Sequence, residues 1–149
     1  MAVMGVSRFE RFFRAAAGLD VDKNDLRRYY EFIDAKLYDL LLIGQARAEA
    51  NGRDIIEPPD LPITKGLQES IHQFRELNEE IEVEPILELL ARRPPLDLVV
   101  REDTDEKLPE IAGGLSFALA QAFRIMFPER LNPQTEHWER VERIFDLLL

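Results

Sequence analysis

The chain has 149 residues, 46% of them hydrophobic, which is enough to bury the core of one ordinary domain or of two very small ones. It contains no Cys, which excludes disulfide frameworks, thiolate metal sites and cysteine nucleophiles. With 19 Lys and Arg against 29 Asp and Glu, the net charge is −10, which repels nucleic acid at long range. No apolar run has the length of a membrane span, and the start of the chain lacks the features of a signal peptide. We therefore expect a cytoplasmic protein without a membrane partner.

Helical periodicity predicts a nearly all-α chain whose first half contains a short, a long and another short helix. The first helix is expected over residues 7–17. The second is expected over residues 22–52, about eight turns at 3.6 residues per turn, which is long for a small domain. Pro58-Pro59 forbids helix directly after it, so the third helix is expected to begin at Asp60 or Thr64.

The same order of helices is expected again after Asn78, which we interpret as the junction between residues 1–78 and 79–149 within one compact unit. A second long helix is predicted from about Asp105, and a last helix from about residue 135. On that last helix the residues expected to face inward are Trp138, Val141, Ile144, Phe145 and Leu148. Sequence identity between the halves is negligible, so an unrelated six-helix bundle remains the alternative.

The end of the first long helix carries the most specific pattern in the chain. Gly52-Arg53 follows that helix, and Ile55-Ile56 and Asp60 come next. This segment resembles archaeal histones, whose central helix ends in a Gly-Arg-Lys-Thr-Ile-type loop followed by an acidic residue that opens the last helix. The resemblance implies a structural ion pair between Arg53 and Asp60 that holds the loop.

The resemblance covers about residues 6–76 as one histone fold, and the second half matches it in element order. In that family a single histone fold cannot bury its own apolar face and therefore dimerises. Two copies in one chain would form an intramolecular pseudodimer. The whole chain resembles the bacterial single-chain histone-fold doublets of thermophiles, a family without an assigned biochemical role. The expected fold class is therefore all-α, with two tandem histone folds.

The resemblance also offers duplex DNA as a partner, because histones contact phosphates through basic residues of the first helix and the loops. The candidate contacts on the first helix are Arg8, Arg11 and Arg14, although a solvated helix face is the favoured explanation for them. Asp20 and Asp54 stand where the family has basic residues. Charge therefore favours a protein–protein assembly module, which docks a basic protein or self-associates. Weak, salt-sensitive DNA binding in the nucleoid is the alternative.

We expect no enzyme, cofactor, metal or small-molecule substrate. His72 and His137 lie on predicted helices without a second His or Cys at ligand spacing. The acidic segment 20–31 has the spacing of a calcium loop but holds Asp25 where such a loop needs Gly. No Gly-rich phosphate loop and no nucleophile motif is present.

Two adjacent glycines, Gly113-Gly114, fall in the middle of the second long helix. Each costs about 1 kcal/mol of helix stability relative to Ala, so a structural benefit should offset them. We expect them to permit a close crossing with the first long helix at Gly44.

Overall fold

The computed structural model describes residues 5–77 and 79–149, which are mostly helical. The elements are α1 (Val6–Ala17), α2 (Lys23–Ala50), β1 (Ile55–Ile56), a 3-10 turn (Pro58–Asp60), α3 (Lys65–Glu76), α4 (Val83–Leu90), β2 (Val99–Val100), α5 (Glu102–Asp105), α6 (Leu108–Met126) and α7 (Thr135–Leu148). Residues 1–4, to which the signal-peptide expectation applies, and Asn78, the expected junction, lie outside the described residues. Within the described ranges, no helix combines the length and apolarity that a bilayer crossing requires.

A short, a long and a short helix occur in each half: α1, α2 and α3 in the first, and α4, α6 and α7 in the second. The start of α2 is fixed by a capping box, in which Asp22 accepts from the backbone N–H of Asn24 and Asp25 while Asp25 accepts from that of Asp22. The second long helix starts later than expected. The segment after β2 forms the single turn α5, and α6 begins at Leu108, because Pro109 lacks the N–H that would continue a helix from α5.

Two pairs of loops join the halves. β1 and β2 form a two-residue parallel sheet, and beside it the carbonyl of Ile56 accepts from the Thr104 hydroxyl at 2.8 Å. The loop before α2 meets the loop before α7, where the N–H of Asp20 donates to the carbonyl of Leu131 at 2.7 Å. Each pair links a segment of the first half to a segment of the second.

The core also lies largely between the halves. Tyr29 on α2 is fully buried, and its hydroxyl lies 2.8 Å from Ser116 Oγ on α6. Phe32 on α2 packs edge-on against Phe145 on α7, with ring centroids 4.9 Å apart. The long helix of the first half is therefore covered by helices of the second.

The inner face of α7 is narrower than predicted. Trp138 and Val141 are buried, and Phe145 is half-buried. The expectation that Ile144 and Leu148 also face inward is wrong, because their side chains are 42% and 76% exposed. Ile144 is about 100° around the helix from Phe145 and so leaves the apolar stripe, and Leu148 lies in the last turn.

The predicted crossing of Gly113-Gly114 with Gly44 is wrong. A Cβ added to Gly113 would lie 2.6 Å from Phe74 Cγ, and one added to Gly114 would lie 3.0 Å from the backbone nitrogen of Ile71. The two glycines therefore allow α3 to pack closely against α6, whereas the atoms nearest to Gly44 belong to the segment that follows α2. The contact between α2 and α6 uses larger side chains, such as Tyr29 and Ser116, and does not need glycine.

One buried hydrogen bond ties the start of α2 to α7. Trp138 Nε1 donates to Asp25 Oδ1 at 2.8 Å, and both residues are buried. Burial raises the pKa of the Asp25 carboxyl above its ordinary value, while its hydrogen bonds with the Asp22 backbone and the Trp138 indole act in the opposite direction.

The first prediction concerns Gly114. Gly114→Ala should lower the free energy of unfolding by about 1–3 kcal/mol, because the new methyl group meets the backbone of Ile71. Gly66→Ala is the matched control, since a Cβ on that helical glycine meets no atom within 4 Å, and it should be neutral or slightly stabilising. Urea denaturation of both variants tests this. A Gly114→Ala protein as stable as the control would contradict it.

The second prediction concerns Trp138→Phe, which keeps an aromatic ring in the core but removes the donor to Asp25. We expect the free energy of unfolding to fall by about 1–3 kcal/mol at neutral pH. Because the folded-state pKa of Asp25 is raised, its ionisation lowers stability as the pH rises above the ordinary value of 3.8. Losing the indole donor raises that pKa further, so the destabilisation should shrink at acid pH.

Urea denaturation of Trp138→Phe, of Asp25→Ala and of the double variant, each at acid and at neutral pH, measures the free energy that the Trp138–Asp25 hydrogen bond contributes. Additive effects of Trp138→Phe and Asp25→Ala at neutral pH would show that the hydrogen bond contributes nothing.

Candidate interaction surfaces at the paired loops and the first helix

Arg53 and Asp60 lie side by side just after α2. The guanidinium Nη1 and Nη2 of Arg53 each donate to one oxygen of the Asp60 carboxylate at 2.5 Å. Asp60 is only 3% exposed and also accepts from the backbone N–H of Glu57 at 2.8 Å. The hydrogen bond from Arg53 holds the pKa of Asp60 below its ordinary value, against the effect of burial. The loop arginine is therefore engaged within the chain.

A charge network extends from this pair to the second half. Glu57 forms a salt bridge with Arg53, at 3.0 Å, and accepts a hydrogen bond from Arg101 at 2.9 Å, and Arg101 also lies 3.2 Å from Asp103. The arginines of both paired loops thus face carboxylates of their own chain. Sequence reasoning missed Glu57, because its role as a bridge depends on the pairing of β1 with β2.

The paired loops form a negatively charged surface. We define the acidic loop edge as residues 51–60 and 96–107, which contain three basic and eight acidic residues and therefore have a net charge of −5. Its exposed carboxylates include Asp54, Asp97 and Glu106. Val99 lies on the same edge with 69% of its surface exposed. Half of the net charge of the chain is concentrated here.

The three arginines of α1 all face acceptors of the same chain. Arg8 donates to the carbonyl of Glu80 at 3.4 Å, and the charged groups of Arg11 and Glu79 are 3.5 Å apart. Arg14 lies 3.9 Å from Asp20. Arg11 and Arg14 remain exposed and Arg8 is half-buried, but the structure brings acidic residues beside Arg11 and Arg14. The neighbour of Arg11 could not be found from sequence, because Glu79 is far away along the chain.

An arginine of the second half is engaged in the same way. Arg93 Nε donates to Asp34 Oδ2 at 2.5 Å, and its guanidinium lies 5.5 Å from the centre of the Tyr38 ring. Asp34 is buried on α2, so this pair fixes the chain after α4 to the long helix of the first half.

Each histidine contacts a polar group of its own chain. His72 is exposed beside Glu76, at 3.5 Å, and His137 Nδ1 accepts from the backbone N–H of Gln134 at 2.8 Å. The ring of His137 also packs against Phe127. In residues 5–77 and 79–149, no three His, Asp or Glu side chains gather closely enough to hold a metal ion.

Three solved structures are similar to the whole fold. A protein from Thermus thermophilus is 54% identical and covers 99% of each chain with a TM-score of 0.92. A protein from Aquifex aeolicus is 28% identical, with a TM-score of 0.83 over 99% of this chain and 97% of that one. The histone from Methanopyrus kandleri is 14% identical, with a TM-score of 0.58 over 91% of this chain and 90% of that one. The predicted mostly helical, histone-like fold is therefore confirmed.

Its relatives come from thermophilic bacteria, as the resemblance implies. A protein of Aquifex aeolicus, described as uncharacterized, is 31% identical over 142 residues, which is 95% of this chain and 82% of that protein. The model of the family described as a domain of unknown function, DUF1931, matches residues 9–146, and the chain belongs to this family.

Proposed function

We propose that this chain is a non-enzymatic, single-chain pseudodimer of two histone folds that docks a basic protein through its acidic loop edge. The observation that carries the proposal is the charge of −5 on the paired loops, a surface that resembles the one where histones hold DNA phosphates. A polyanion is repelled by such a surface, and a cationic partner is attracted to it.

The pseudodimer is supported by reciprocal contacts between the halves. Loops of the first half pair with loops of the second at two places, and α2 packs against both α6 and α7. The alignment with one histone chain spans 91% of this chain, more than either half alone could supply.

The occupied arginines argue against phosphate binding at the paired loops. If Arg53 turned outward to a phosphate, the buried carboxylate of Asp60 would lose its charged partner. Leaving a buried carboxylate without its counter-ion is unfavourable, so the loss of this pair would oppose any phosphate contact made by Arg53. The loop is therefore built for internal pairing.

The partner that fits the acidic loop edge is a Lys- and Arg-rich protein segment that also presents an apolar side chain. The carboxylates of Asp54, Asp97 and Glu106 would attract it. Val99, exposed beside them, would supply an apolar contact from which water can be excluded.

The third prediction tests the DNA alternative. A 30-base-pair duplex, titrated in about 20 mM and then about 150 mM salt, should show no saturable binding in either condition, because a net charge of −10 opposes it. Binding at low salt that disappears in the Arg11→Gln/Arg14→Gln variant would instead support a nucleoid role.

The fourth prediction tests the acidic loop edge. A variant with Asp54→Asn, Asp97→Asn and Glu106→Gln should lose at least about tenfold in affinity for a basic protein partner, since each removed charge weakens the attraction. The matched control carries Glu84→Gln, Glu129→Gln and Glu139→Gln, three exposed sites that are not adjacent to the acidic loop edge in sequence, and both variants have the same net charge of about −7.

The tagged wild-type chain, the loop-edge variant and the control are each cross-linked in an extract of the source cells. Quantitative mass spectrometry then compares the proteins that each one captures. A partner should be captured equally by the wild type and the control, and its cross-links should map beside Val99. Equal capture by all three proteins, or capture of no partner, would refute docking at this edge.

A further inference from the structure

We propose that the chain binds a small amphipathic carboxylate, one with a single carboxylate and a medium-length hydrocarbon tail, in a cavity between its two halves. The cavity has a volume of about 470 Å³ and lies between the 3-10 turn and α3 on one side and the start of α6 on the other. Its size is in the range of small-molecule sites in proteins.

The floor and walls of the cavity suit a hydrocarbon tail. The buried side chains of Leu61, Ile71 and Ile111 line it, together with Pro58 and Ile63 at its sides. Each CH₂ group moved from water onto such a surface should raise affinity by up to about fourfold, so tail length should control affinity.

The mouth of the cavity suits a single negative charge. Arg75 donates to the Glu110 carboxylate, and Lys107 Nζ lies 3.8 Å from the other oxygen of the same carboxylate. Two cations therefore share one anion, which gives the mouth a net charge of +1 in a chain whose overall charge is −10. Lys107 makes the looser of the two contacts and is half exposed, so it is free to turn toward a ligand carboxylate.

The same features make other ligand classes weaker binders. A cationic ligand would meet Arg75 and Lys107 at the mouth. A polyphosphate carries more charge than one surplus cation can offset, and a neutral amphiphile gains nothing from that cation. A monocarboxylate is the class that uses both the apolar floor and the charged mouth.

The test is isothermal titration of the full chain with octanoate. Octan-1-ol and octylammonium keep the tail and change the head group, whereas acetate keeps the head group and removes the tail. We expect saturable one-to-one binding of octanoate, binding of octan-1-ol at least about fivefold weaker, and no binding of acetate or octylammonium.

Variants locate the site. Lys107→Gln should weaken octanoate binding about fivefold to tenfold and leave octan-1-ol binding unchanged, whereas Lys23→Gln, at the distant start of α2, should change neither. Ile63→Asp adds a negative charge inside the cavity and should abolish octanoate binding.

Circular dichroism would confirm that each variant is folded before titration. The proposal is overturned if octanoate fails to bind, if octan-1-ol binds equally well, or if Lys107→Gln binds octanoate like the wild type. These outcomes do not depend on whether the acidic loop edge docks a protein.

Discussion

Burial of residues 111–116 of α6 on every side is the constraint on which the architecture depends. Residues 111–116 are all buried, although they face all directions around the helix. Such a helix needs neighbours on all faces, and they come from the other half: α2 at Ser116 and α3 at Gly113-Gly114. Segments of the first half are therefore needed to bury this part of α6.

In the loops that join the halves, a histone-like backbone carries arginines that bind carboxylates of the same chain. Arg53 is held by Asp60 and Glu57, and Glu57 in turn holds Arg101. This network uses the loop arginines to stabilise the pairing of the two loops, and the surrounding positions are acidic. Because function depends on the residues presented rather than on the fold, likeness to a histone does not make this chain a DNA-binding protein.

The proposed protein-docking edge and the proposed carboxylate site are neighbours that share Lys107. Both lie across the boundary between the halves, so both exist only when the two halves are folded against each other. A carboxylate held by Lys107 would neutralise one of the three basic residues on the acidic loop edge and make that edge more negative. The two surfaces therefore differ in ligand but are electrostatically linked.

By itself the sequence determined the local features: the long helix that ends before Gly52-Arg53, the break at Pro58-Pro59, and the all-α class, because capping, glycine and proline act within a few residues. The net charge of −10, which the sequence gives directly, likewise disfavours DNA binding. Only the tertiary structure decided that α3 and not α2 packs against Gly113-Gly114, and that Lys107 and Arg75 line the same cavity. Those facts depend on which distant segments come together, and helical periodicity identifies a buried face without identifying what covers it.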